Sequence, residues 1–303
     1  MGRRVVWRKR DVLRLLTQVG QDNPSAKYEA LRKEFAGRAN LPAELRVRLI
    51  CGGVVLELIG TLMQLAFLSH LESKSKSHRT SSLVTILISI YNDLTGILKL
   101  CETGLDVQAR CLLRGFIEKI DLFVCLYFND ELCDDYIEKS TFEGSREFFY
   151  KFISGDKLRR RASKSFCASH PELQDLADWF WTEWRTEIGP MLGAAVHPNH
   201  TVGLISLFPN LTRGRSDAIG LGGYPNNGSL HTVWIAITAM FPIAFMHRYG
   251  DSFQINLDEI GPESLNDINE LRERLEVLTK FSLGFFFVDV MRNHIQNGTW
   301  QES

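Results

Sequence analysis

The chain has 303 residues, of which 45% are hydrophobic and 23% charged, and its formal net charge is −1. Those are globular proportions, and they exclude both a disordered polar chain and one whose overall field gathers nucleic acid or acidic lipid. At this length a core forms without covalent or metal staples.

The neutral total hides an asymmetry between the ends. Residues 1–48 carry twelve Lys and Arg against five Asp and Glu, while residues 251–276 carry two against eight. The six cysteines (Cys51, Cys101, Cys111, Cys125, Cys133, Cys167) contain no CxxC pair and mostly sit in apolar helical patterns, as reduced and buried thiols do. The opening MGRRVVWRKRDVLRLL has only a short, charge-broken apolar stretch, unlike a secretory signal. A cytoplasmic protein is the expectation.

In chain order, residues 8–19 and 25–37 read as two short basic helices, separated by the stop-and-start signal Asp22-Asn23-Pro24-Ser25. They form a basic N-terminal helical arm, residues 1–48, ahead of a helical core domain, residues 49–303. From Leu41-Pro42 a long helix runs to about Leu71, weakened at its start by Gly52-Gly53. Its stretch CGGVVLELIGTLMQLAFL contains Glu57 and Gln64, and the later VWIAITAMFPIAFM is short for a span. Both read as buried core helices rather than membrane crossings.

The polar segment 72–82 is an exposed connection, a second long helix begins near Ser82, and a third carries residues 109–128 after Thr103-Gly104. Such lengths and short turns predict antiparallel packing. Shorter helices fill about 131–168, ending in the basic run KLRRR, and Pro171 opens an aromatic-rich helix that leads into AAVHPNH, residues 194–200. Residues 201–228 break the helical rhythm and read as a small hairpin or extended loop, before closing helices near 229–248 and 263–297. The fold class is therefore all-α: a multi-helix bundle of long antiparallel helices with one such insertion.

Chemistry concentrates in two places. The helix 104–128 is apolar almost all round, yet it places Asp106, Arg110, Arg114 and Glu118 one turn apart, so adjacent members touch. With so little polar surface some of these charges are expected to be buried, and a buried charge must be paired. Arg114 and Glu118 pair with each other or with Asn92, Asp93 or His197. An internal salt bridge that fixes packing is one reading, and a functional site is the other. His197, aimed by Pro198, carries the side chain best matched to proton transfer near neutral pH. With only His200 nearby and no cysteine, no metal site is expected, and no cofactor motif is present.

Two basic clusters offer phosphate neutralisation: Arg3, Arg4, Arg8, Lys9 and Arg10 on the first helix, with Trp7 for stacking, and Lys157, Arg159, Arg160 and Arg161 further on. The acidic segment 251–276 is an internal or intersubunit partner for either. The tryptophans 179, 181 and 184 read as core.

The pairing of RGFIE (114–118) on an apolar helix with a later AVHPN (195–199) resembles an uncharacterised bacterial helical family of unknown function, over roughly residues 80–250. That resemblance implies Arg114, Glu118 and His197 as site residues. The family is loosely similar to the HEPN helical ribonucleases, whose Arg-x(4–6)-His motif is missing here, Arg292-Asn293-His294 being the nearest case. Together these imply an effector or accessory protein of bacterial stress or antiviral defence that binds or acts on RNA or DNA. In such an enzyme His197 moves protons, Arg114 stabilises developing negative charge and Glu118 orients one of them. The alternative is a non-catalytic helical scaffold that assembles with itself or with a partner protein, away from membranes.

Overall fold

The computed structural model describes residues 7–39, 41–72, 78–196, 227–249 and 262–288. The protein is an all-α multi-helix bundle, with no strand among the described residues. Residues 201–226, where a hairpin or loop is expected, lie outside the described residues, and Asn227 already belongs to a helix.

Two short helices come first, α1 (Lys9–Gln18) and α2 (Pro24–Phe35). The side chain of Asn23 accepts a hydrogen bond from the Ala26 amide at 3.0 Å and so caps α2, with Pro24 at its first turn. Three long helices follow: α3 (Ala43–Glu72), α4 (His78–Thr103) and α5 (Asp106–Tyr127). The second of these starts four residues before the expected Ser82, because the polar run from His78 is helical despite its composition. Gly104, at φ +80°, makes the turn between α4 and α5.

Gly52 and Gly53 weaken α3 less than they serve it. A Cβ on Gly52 would meet Leu98 of α4 at 2.5 Å, and one on Gly53 would meet Phe35 and Leu31 of α2 at 2.7 and 2.9 Å. Their absent side chains are what let α2 and α4 close onto α3 from two sides. Glu57 is placed by partners: it pairs with Lys27 of α2 and lies 3.7 Å from Arg274 near the C-terminal end of the fold.

Beyond α5 run α6 (Asp130–Glu138), α7 (Phe142–Phe148), a π-helical turn (Phe149–Ile153) and α8 (Lys157–Ser169). The aromatic segment is α9 (Gln174–Asp178), a six-residue π-helical stretch (Trp179–Trp184) and α10 (Arg185–Val196). Then come α11 (Asn227–Ala239), α12 (Phe241–Tyr249) and α13 (Pro262–Phe286), so the helix expected over 229–248 is broken at Met240. One core unites these elements. α11 packs on α3, α4 and α5; α13 packs on α3 and α12; α8 and α10 cover the other side of α5. Residues of the first 48, including Val12, Leu16, Tyr28, Leu31 and Phe35, are buried in that same core, and α3 runs without a break across residue 48.

Among the described residues three helical segments are long and apolar enough to cross a membrane, Ala43–Leu68, His78–Thr103 and Gly228–Arg248. Their most apolar windows are 78%, 39% and 89% buried inside the fold.

Candidate functional site

Along α5 the charged ladder divides into two halves. Asp106 and Arg110 are held at 3.0 Å and mostly buried, and Arg110 reaches Thr232 of α11 at 3.4 Å, which makes this half a packing device. Arg114 and Glu118 pair with each other at 3.4 Å, but their side chains are 45% and 48% exposed, so the burial expected for part of the ladder stops at Arg110. Of their other candidate partners, Asp93 instead takes Lys119 at 2.7 Å and Asn92 is exposed.

The turn after Glu118 carries the buried charge that the sequence reading passed over. Asp121 accepts from Arg185 Nη2 at 2.5 Å and from Trp181 Nε1 at 2.9 Å, both on Oδ1. The ion pair is 5% and 7% exposed and joins α5 to the start of α10. Burial raises the Asp121 carboxyl above its ordinary range, while Arg185 and Trp181 pull it back. The signal was present: IDLFVC places a lone Asp in an apolar run and WFWTEWR sets Arg185 beside a run of aromatics, and a charge buried in such a run needs a partner. The Nε of Arg185 is buried and meets no acceptor among the described residues. Its guanidinium also packs against the rings of Phe180 and Trp184.

These groups line one cleft of about 340 Å³ between α5, the turn before α8, and α10. Arg114, Arg159 and Arg185 line it together with the carboxylates they pair with, Glu118, Asp156 and Asp121, and the apolar part of the lining includes Ile117, Ile153, Ile188 and Leu192. Gly189 and Gly193, one turn apart on α10, meet no other described residue where their side chains would stand. Pro190 between them has no amide hydrogen, so α10 is also short of one internal hydrogen bond along this wall.

A second cavity, of about 680 Å³, adjoins it along α8 and is lined by Arg159, Arg160, Ser163, Lys164, Gln174 and Thr182 among others. Among the described residues no carboxylate lines it. Asp156 holds Arg159 at 2.9 Å and stands 4.0 Å from Arg160, whose side chain is 80% exposed. Lys157 donates to the Tyr150 carbonyl, and Arg161 lies over the Phe152 ring, so these two members of the cluster turn away from the groove.

In the N-terminal cluster, Lys9 pairs with Glu29 at 2.8 Å and Arg10 lies 3.7 Å from Asp11, while Arg8 is exposed. Arg3 and Arg4 lie outside the described residues. Trp7 is no stacking platform: it is buried and stacked on Phe285 at 4.7 Å. His197 and His200 also lie outside the described residues, one and four positions past the end of α10. Among the described residues no three His, Cys, Asp or Glu side chains gather to hold a metal ion. Four cysteines are buried as expected, with burial pushing the Cys125 thiol up to about 12 and Cys133 to about 11, but Cys111 is exposed.

Comparison with protein-family models, with curated proteins and with solved structures finds no match.

Proposed function

We propose that the protein binds nucleic acid along α8, with Arg114 and Glu118 at the mouth of the adjoining cleft as the place where a bound strand is acted on. The observation that carries this reading is the α8 groove, whose lining holds Arg159, Arg160 and Lys164 and, among the described residues, no carboxylate. Cations gathered on one wall attract phosphates and release their counterions, which gives affinity without sequence preference. His197 follows the cleft-lining Gly193 by four residues and is the candidate for proton transfer. The resemblance noted from RGFIE and AVHPN adds the setting, an effector or accessory component of bacterial stress or antiviral defence.

A gel-shift titration with labelled RNA and DNA at about 50 and 200 mM salt tests it. Binding is expected to weaken steeply with salt, and the double variant Arg160→Ala/Lys164→Ala to lower the slope of log K on log salt by about 0.7–0.9 per lost phosphate contact. Loss of cleavage in His197→Ala with binding retained assigns the proton transfer to that residue. No binding at the lower salt overturns the reading.

A second reading, the assembly scaffold, is favoured by α4, whose apolar window is only 39% buried, and by the exposed Phe67, Ile88 and Leu112 on α3, α4 and α5. Light scattering on the eluting protein decides it. A monomer at all accessible concentrations sinks the self-assembling form.

A further inference from the structure

We infer that the cleft between α5 and α10 accepts a single nucleotide, the end or an unstacked residue of a strand lying in the α8 groove. This rests on the nucleic-acid reading and deepens it, because it names single-stranded nucleic acid with an accessible base as the ligand.

Three observations converge on it. The first is continuity: Arg159 lines both cavities, so a phosphate held there has the groove on one side and the cleft on the other. Size is the second, since about 340 Å³ lies near the lower end of the range of roughly 300–1,000 Å³ for small-molecule pockets and suits one nucleotide rather than a run of them. The third is chemistry. A nucleotide presents a flat ring with apolar faces, hydroxyl and amino donors, and an anionic phosphate. The cleft offers Ile117, Ile188 and Leu192 for the ring and the half-exposed carboxylate of Glu118 for the donors, while Asp121 is held by Arg185 and Trp181. For the phosphate it offers the guanidiniums of Arg114 and Arg159.

Buried Arg185 strengthens the case. Among the described residues its Nε meets no acceptor, although the side chain is 93% buried by its 7% exposure, and Arg185 is one of the residues lining this cleft. A donor left unpaired at a cavity wall is satisfied when an acceptor on a ligand reaches it. A duplex does not offer its bases in this way, because a cleft of one nucleotide's size admits a base only after it leaves the stack.

The test uses the full chain and short single-stranded oligonucleotides carrying 2-aminopurine at one end or at an unpaired internal position. Binding is expected to change the fluorescence of the probe, and adenosine monophosphate in excess to reverse that change while the strand stays bound. Gly193→Leu fills the cleft from a helical position with open space around it, so the fold is retained, as a thermal melt verifies; Gly189→Leu is the second variant if the first fails that check. In the filled variant the fluorescence change is expected to fall about tenfold while strand affinity stays within about threefold, since the groove contacts that set salt-dependent affinity are intact. Strand binding with a probe signal equal in parent and filled variant overturns the inference and leaves the nucleic-acid reading standing. Absence of strand binding altogether overturns both.

Discussion

Asp121 and Arg185 are the two residues on which the site is built, and their pairing is a liability as well as a clasp. Each is desolvated, and the remaining partner of a broken buried pair keeps its desolvation without the attraction that offset it. Arg185→Met is therefore expected to lower stability by about 3–5 kcal/mol in urea unfolding near neutral pH. The double variant Asp121→Leu/Arg185→Met is expected to recover most of that loss, because no charge is then stranded. Equal losses in the single and double variants would mean that packing, not charge, holds this junction. The pair was hard to foresee for a plain reason: its members are 64 residues apart in sequence, whereas Arg114 and Glu118 are four apart and can be paired from helical spacing alone. Burial followed a subtler rule, since Asp106 and Arg110 turn toward α11 and the next rung turns toward solvent.

At the scale of elements, glycine in these helices has two opposite uses. On α3, Gly53 lies against Phe35 and Leu31 of α2, and on α10, Gly193 has nothing among the described residues within 4 Å of where a Cβ would be. Replacing a helical glycine by alanine gains about 0.5–1 kcal/mol through backbone entropy where space is free. Gly193→Ala is expected to show that gain, while Gly53→Ala is expected to cost about 1–3 kcal/mol because the core must shift to admit the methyl. Denaturant midpoints of the two variants should move in opposite directions, and movement in the same direction refutes this assignment of roles. Helix positions were readable from the chain: the Asn23-Pro24 start of α2 and the runs of α3 and α5 follow from capping residues and apolar spacing. The π-helical stretch from Trp179 to Trp184 was not readable, because the 3.6-residue period that places Trp181 and Trp184 on one buried face says nothing of a wider turn that brings Arg185 round to Asp121.

Across the whole molecule, one core runs from Trp7 to Phe286, and a buried histidine reports on it. His247 of α12 packs against the rings of Phe123 and Tyr127 of α5, and burial lowers its pKa from 6.5 to about 3. Between those values the unfolded chain takes up a proton that the folded chain refuses. Stability contributed by this group is complete above 6.5 and is lost toward 3, by about 1.4 kcal/mol per pH unit. Asp121, raised above its ordinary 3.8, acts in the opposite sense as pH rises above that value, so the informative comparison is between the parent and His247→Phe. Urea unfolding at pH 5 and 7 is expected to show a smaller loss toward acid in the variant, and identical slopes would refute the role of His247.

The stacking of Trp7 on Phe285, with Leu15 beside Gly284, also sets an order of events at the ribosome. At synthesis rates of about 5–20 residues per second, the N-terminal ring waits on the order of tens of seconds for its partner to emerge. Until then α1 and α2 lean, among the described elements, chiefly on each other and on α3 and α4 as these emerge, and the contact of α1 with α13 forms last.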